Sequence, residues 1–206
     1  MQHRRMAATA AVLGDPSRAA MVLALMDGRP RSAKKLALDA GVTPQTASAH
    51  LKKLLAAEIL VCEASGRTKH FSLAGSEVAA AVEALSAVHP QVPAAAKELR
   101  FARCCYDHLA GRLGVAVTDR LLQPGNTVLA ELEIVVENSR RPFYRCCSDW
   151  TERRPHVAGA LGAALLRHYR ERGWLVPVED SRKLVVTPRG EDAFVRLLGV
   201  DQALFR

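Results

Sequence analysis

The chain has 206 residues, a length for one large or two small domains. Hydrophobic residues make up 49% of it and charged residues 24%, with no run near the ~20 apolar residues a membrane helix needs, so a soluble globular protein is expected. Lys and Arg number 29 against 21 Asp and Glu, and the +8 balance favours a polyanionic partner over catalysis on an acidic substrate.

The opening MQHRRMAATAAVLG has a positive start, but its apolar stretch is short and merges into a helical pattern, so no export signal is expected. In GDPSRAAMVLALMDG, Asp15 can cap a helix from Pro16 to about Asp27, with proline at a position where its missing amide hydrogen costs nothing. Ser32 caps a second helix, SAKKLALDA, that stops at Gly41. Thr43 caps a third, TPQTASAHLKKLLAAE, which begins with Pro44. Helical spacing then gathers Leu36, Ala37, Val42, Ala47, Leu51, Leu54 and Leu55 into an apolar stripe. Gln45, Thr46, Ser48, Ala49, Lys52 and Lys53 are left facing outward. EILVCEASGRTKHFSL follows as two short strands around Ser65-Gly66, with Arg67 and Lys69 at or just past the tip.

A short helix, a glycine turn and a helix with small polar residues at its exposed start suit insertion into a DNA major groove, and the hairpin forms a basic wing. Helix N-termini at Ser32 and Thr43 aim amide hydrogens at phosphates, to which Lys34, Lys35, Lys52 and Lys53 add charge. Thr43, Gln45, Thr46 and Ser48 reach toward base edges, and Arg67 toward the adjoining minor groove. His50, one turn before Leu54, is expected to pack against the preceding helix rather than touch a base.

LGDPSRAAMVLALMDG, SAKKLALDAGVTPQTASAHLKKLLAAEIL and SGRTKHFSLAG resemble the winged-helix domain of the ArsR family of bacterial transcription regulators, over roughly residues 6–88. The resemblance implies a homodimer that binds double-stranded DNA, represses a nearby promoter and releases it when an effector arrives, and the cysteine usage described below makes a cytoplasmic location the expectation. CCYDHLAGRLG, FYRCCSDWTERRPHVAGALG and RGWL are similar to the C-terminal half of a longer ArsR-type subgroup.

Pro90 and Pro93 interrupt the helical pattern and mark a linker at 91–96, between a DNA-binding domain at 1–90 and a second domain at 97–206 for dimerisation and effector response. Adding 115 to 57–75, AEILVCEASGRTKHFSLAG, lays it without gaps over 172–190, RGWLVPVEDSRKLVVTPRG. The fold class expected is therefore mainly α with small β-hairpins: an N-terminal winged helix-turn-helix and a C-terminal helical domain ending in a degenerate winged-helix-like repeat. ELEIVV reads as a further strand. In the second copy AGALGAALLRHYRERG replaces the polar start of the reader helix, a small-residue surface for close packing in the core or at an interface.

Five cysteines, with adjacent pairs at Cys104-Cys105 and Cys146-Cys147, form no secreted disulfide pattern and suit reduced thiols. The family's Cys-x-Cys site and its carboxylate–histidine site have no counterpart at the corresponding positions. The remaining candidates are Cys104, Cys105, His108, Cys146, Cys147, Asp149 and His156. On a helix, Cys104 or Cys105 would share a face with His108. Such residues suit a thiophilic metal or oxidant, or they are small core fillers. A small organic ligand is a further effector class, with Tyr106, Phe143, Tyr144, Trp150 and Trp174 as walls and Arg145 or Arg153 holding an anion. No motif of enzyme chemistry is present. The rival reading is a thiol-dependent metal or redox protein with only non-specific DNA affinity.

Overall fold

Side-chain caps from Asp15, Ser32 and Thr43 set the starts of three helices in the N-terminal part of the chain. The computed structural model describes residues 1–66, 68–88, 94–136 and 140–206, which group into two units, Met1–Ala79 and Ala80–Arg206. Helices occupy about half of the chain and the sheets are small.

The first unit begins with α1 (Gln2–Leu13) and α2 (Pro16–Ala24), the latter capped by Asp15, which accepts from the Arg18 amide at 2.9 Å. The helix ends three residues short of the expected Asp27. Asp27 instead turns inward, accepting from the Arg29 amide at 3.0 Å and pairing with Arg31 at 2.9 Å. Arg31 belongs to an unforeseen strand, β1 (Arg31–Ser32). Helix α3 (Ala33–Asp39) is capped by Ser32, and α4 (Pro44–Ala56) by Thr43. Gly41, at φ +63°, supplies the left-handed turn between them. Strands β2 (Leu60–Ser65) and β3 (Thr68–Leu73) pair from Leu60↔Leu73 to Ser65↔Thr68, and β1 joins β3 to give the order β1-β3-β2. Helix α5 (Ser76–Val88) starts here and continues past Ala79 as the first element of the second unit.

The second unit is built on hairpins that lead into helices. Strands β4 (Arg103–Cys105) and β5 (His108–Ala110) feed α6 (Arg112–Leu121), and a short α7 (Val128–Glu131) follows. Strands β6 (Arg145–Ser148) and β7 (Pro155–Ala158) feed α8 (Gly159–Glu171). A last hairpin, β8 (Leu175–Pro177) with β9 (Leu184–Val186), precedes α9 (Pro188–Arg196). The stretch ELEIVV is not a strand, because Asn126 accepts from the Val128 amide and starts α7, after which Leu132 is buried in the core.

Hairpin and helix form an internal repeat distinct from the 115-residue shift. RCCYD (103–107) and HLAGRLG (108–114) recur as RCCSD (145–149) and HVAGALG (156–162), with six additional residues, 150–155, in the second turn. The backbone repeats too. Arg112 and Leu113 donate to Arg100 and Phe101 at 2.8 and 2.9 Å, as Ala160 and Leu161 donate to Pro142 and Phe143 at 3.0 and 2.9 Å. At Gly114 and Gly162 a Cβ would stand 2.6 Å from the Leu109 and Val157 carbonyls, so both helices approach their hairpins only through glycine.

A shift of 115 does carry α4 onto α8, since 44–56 becomes 159–171. The hairpin after α8 pairs Leu175↔Val186 where the shift predicts Leu175↔Pro188, so it is tighter by two residues and keeps the same face. Upstream of α8 the likeness stops, because the β6–β7 hairpin precedes it instead of helices. The small-residue face of α8 is core: Gly159, Leu161, Gly162, Ala164, Leu165, Leu166 and Tyr169 are buried. Trp174 is no ligand wall, as it stacks on Tyr169 at 5.5 Å and meets Phe194 edge-on at 5.8 Å. β4 is also tied to the chain before β9, with the Cys104 amide donating to the Arg182 carbonyl at 2.7 Å and the Leu184 amide to Ala102 at 2.9 Å.

Candidate functional site

The underside of α4 buries Ala47, Leu51 and Leu54 against Leu36 and Ala37, while Val42 and Leu55 are half-buried. This fixes the opposite face outward, where Thr43, Gln45, Thr46, Ser48, Ala49, Lys52 and Lys53 are exposed. Gln45, Ser48 and Lys52 follow one another at helical spacing along that face. Thr43 is engaged as a cap, accepting from the Thr46 amide at 3.2 Å, and the Ser48 hydroxyl donates to the Pro44 carbonyl at 2.9 Å. Ser32 caps α3 in the same way, at 3.3 Å from the Lys35 amide. Lys34 is exposed, but Lys35 is half-buried and pairs with Asp39 at 3.1 Å. Lys69 is exposed on β3, and Arg67 lies outside the described residues. His50 packs inward, though its neighbour is on α2 rather than α3: Nδ1 stands 3.3 Å from the Arg18 guanidinium.

The thiol candidates separate by strand geometry. Cys104, Cys105 and His108 lie on a hairpin, not a helix, because the tight turn at Tyr106, with φ +62°, folds His108 back opposite Cys105. Neighbours along a strand point to opposite faces, so each adjacent pair contributes one cysteine to each side. Cys104 donates to the Tyr106 carbonyl at 3.1 Å, and Cys146 is exposed with its sulfur 3.0 Å from the Tyr144 hydroxyl. Cys105 and Cys147 instead approach each other at 4.0 Å. Their cross-strand partners His108 and His156 complete a buried group whose ligand atoms all lie within 4.8 Å of one another. The hydrogen bond with Cys147 and burial push the Cys105 thiol up to about 12. Burial opposes a charged His108, but the Cys105 sulfur and Asp107 outweigh it and raise its pKa to about 9.

Beside this group runs a buried charge network. Arg103 is fully buried, donates to Glu83 and to Thr151, and pairs with Asp149 at 3.0 Å. Arg182 holds the other Glu83 oxygen at 3.0 Å. Burial disfavours the Asp149 carboxylate, yet Arg103, the Thr151 hydroxyl and the Gly111 amide hold its pKa at about 2. Burial likewise acts against Glu83, and Arg182 and Arg103 outweigh it and lower its pKa. Asp149 and His156 were among the sequence candidates, whereas Arg103 and Glu83 were not. The repeated Arg-Cys-Cys was the signal that could have found Arg103.

A capped helix, a glycine turn, an outward-facing second helix and a small sheet make the first unit a winged helix-turn-helix, a DNA-binding module. A family model described as a helix-turn-helix domain matches residues 13–63. An HTH-type transcriptional regulator of Bacillus subtilis (strain 168), YdfF, itself uncharacterized, is 39% identical over 214 residues, covering 92% of this chain and 95% of YdfF. The chain belongs to this family of HTH-type transcriptional regulators. Among solved structures, reduced HlyU from Vibrio cholerae N16961 is 19% identical, covering 44% of this chain and 94% of its own, with a TM-score of 0.39. The homodimeric winged helix-turn-helix DNA-binding domain of Mb0332 from Mycobacterium bovis, a possible ArsR-family regulator, is 22% identical over 44% of this chain and 85% of its own, also at 0.39. No helix among the described residues is long and apolar enough to cross a membrane.

Proposed function

We propose that the protein is a cytoplasmic, homodimeric, sequence-specific repressor of the ArsR type, with residues 1–90 as reading head, 91–96 as linker and 97–206 for dimerisation and effector response. The observation that carries this is α4: Ala47, Leu51 and Leu54 are buried while the whole opposite face from Thr43 to Lys53 is exposed. Caps at Ser32 and Thr43 leave two helix N-termini for phosphates, and Gln45 has the amide that suits adenine. Homodimerisation is supported by α1, which has no buried residue, and by the exposed apolar Leu85 and Val88 of α5. A dimer would face two half-sites ~34 Å apart. The effector belongs to one of three classes: a thiophilic metal, an oxidant or a small organic ligand.

A second reading, a thiol-dependent metal or redox protein that docks on DNA non-specifically, is favoured by the approach of Cys105 and Cys147 to 4.0 Å. Binding to labelled DNA separates the two. The regulator prefers its own promoter region over random duplex by at least ~1000-fold at moderate salt. Equal affinity for both duplexes would refute it in favour of the second reading.

A further inference from the structure

We propose that Cys105, His108, Cys147 and His156 form a four-coordinate site for a zinc(II) ion, which staples the β4–β5 hairpin to the β6–β7 hairpin. The proposal is independent of DNA binding, since all four residues lie in the second unit. It rests on three observations.

The first is donor chemistry and spacing. Two thiols and two imidazoles are the Cys₂His₂ set, and each of the four residues is at most 3% exposed. A tetrahedron with Zn–S bonds of ~2.3 Å has sulfurs about 3.8 Å apart, and the two sulfurs here are 4.0 Å apart. The second is the state of the imidazoles. Nε2 of His108 and both ring nitrogens of His156 are buried with no hydrogen-bond partner among the described residues. Buried polar atoms ordinarily have a partner, and a metal ion accounts for one nitrogen of each ring. Each ring also has a carboxylate beside Nδ1, Asp107 at 3.1 Å from His108 and Asp149 at 3.4 Å from His156, where an orienting group for a metal-bound imidazole stands.

The third observation is the internal repeat. The two turns differ in length by six residues, yet in both hairpins the second cysteine and the histidine pair directly across the strands, Cys105↔His108 and Cys147↔His156. Opposite residues of an antiparallel pair point to the same face, so each hairpin delivers one sulfur and one nitrogen to the same point. Cys104 and Cys146, the first of each pair, are directed elsewhere. Binding displaces to solvent the two thiol protons and the proton that His108 holds near neutral pH, and the resulting two thiolates with two neutral imidazoles balance the ion's charge, which suits a buried site. Four protein ligands leave no open position for water or substrate, so the role is structural.

The test is elemental analysis of the full chain purified without added metal, together with cobalt(II) titration of chelator-treated protein. We expect about one zinc per chain, and with cobalt the visible bands of tetrahedral coordination accompanied by thiolate charge transfer. Cys147→Ser and His156→Gln should lower the zinc content at least tenfold, whereas Cys104→Ser and Cys146→Ser leave it unchanged. The cobalt spectrum of the unmutated chain decides the matter even where a ligand variant fails to fold. Absence of zinc together with absence of the tetrahedral thiolate spectrum would overturn the proposal. So would zinc retained in a folded Cys147→Ser variant, or an unreduced chain lighter by two hydrogens with Cys105 joined to Cys147.

Discussion

Replacing Arg103 with methionine removes the centre of a buried charge network. Arg103 and Asp149 are 0% exposed and Glu83 is 1% exposed, so the variant strands two carboxylates without their shared cation. Breaking a buried ion pair from one side costs ~3–5 kcal/mol. The loss here falls at the lower end, because Arg182 still holds Glu83 at 3.0 Å, and the Thr151 hydroxyl and Gly111 amide still donate to Asp149 at 2.7 and 2.6 Å. We therefore expect about 3 kcal/mol, or roughly a hundredfold in the unfolding constant. Both tryptophans, Trp150 and Trp174, lie in the second unit, so urea unfolding followed by their fluorescence reports that unit alone. The midpoint should fall with little change in slope. Adding Glu83→Leu should recover at least ~1 kcal/mol, since it removes one of the stranded charges. A loss below ~1 kcal/mol in the single variant, or no coupling in the pair, would refute the view that Arg103 balances both carboxylates.

Gly162→Ala places a Cβ 2.6 Å from the Val157 carbonyl and 3.0 Å from His108 Cβ, and should cost about 2 kcal/mol by forcing α8 off its hairpin, seen as a lower thermal midpoint. The same variant should lower metal content, because His108 must move. On DNA, Lys52→Ala should weaken all sequences similarly and reduce the salt slope by about one unit, whereas Gln45→Ala should change which sequence is preferred. Binding assays across salt and operator variants check this, and equal losses from both substitutions would count against the division of labour.

The first unit was legible because its signals are local. Asp15, Ser32 and Thr43 all cap the helices they precede, and the spacing from Leu36 to Leu54 identified the buried side of α4. Strand β1 escaped notice because two residues have no periodicity, and only pairing with Phe71 and His70 defines it. The second unit was far less legible. Its strands of three or four residues are too short to alternate visibly, and a helix assumed over Cys104 to His108 put the wrong pairs on one face. The cysteines and histidines were singled out correctly as a group, but sorting Cys105 from Cys104 required knowing that a strand sends neighbours to opposite sides. The Arg-Cys-Cys tandem was available in the letters, but its copies stand 42 residues apart before the turn and 48 after it, so no single gapless offset reveals it.

The hydrogen bonds joining β4 to the segment before β9 decide how the second unit can be divided. A fragment ending ahead of Arg182 would deprive the Cys104 amide of its acceptor and Glu83 of its second cation, exposing the ionic interior to solvent. The carboxyl-terminal hairpin is thus a keystone for residues 78 and 99 positions before it, and shortened versions of this region are poor surrogates for the intact one.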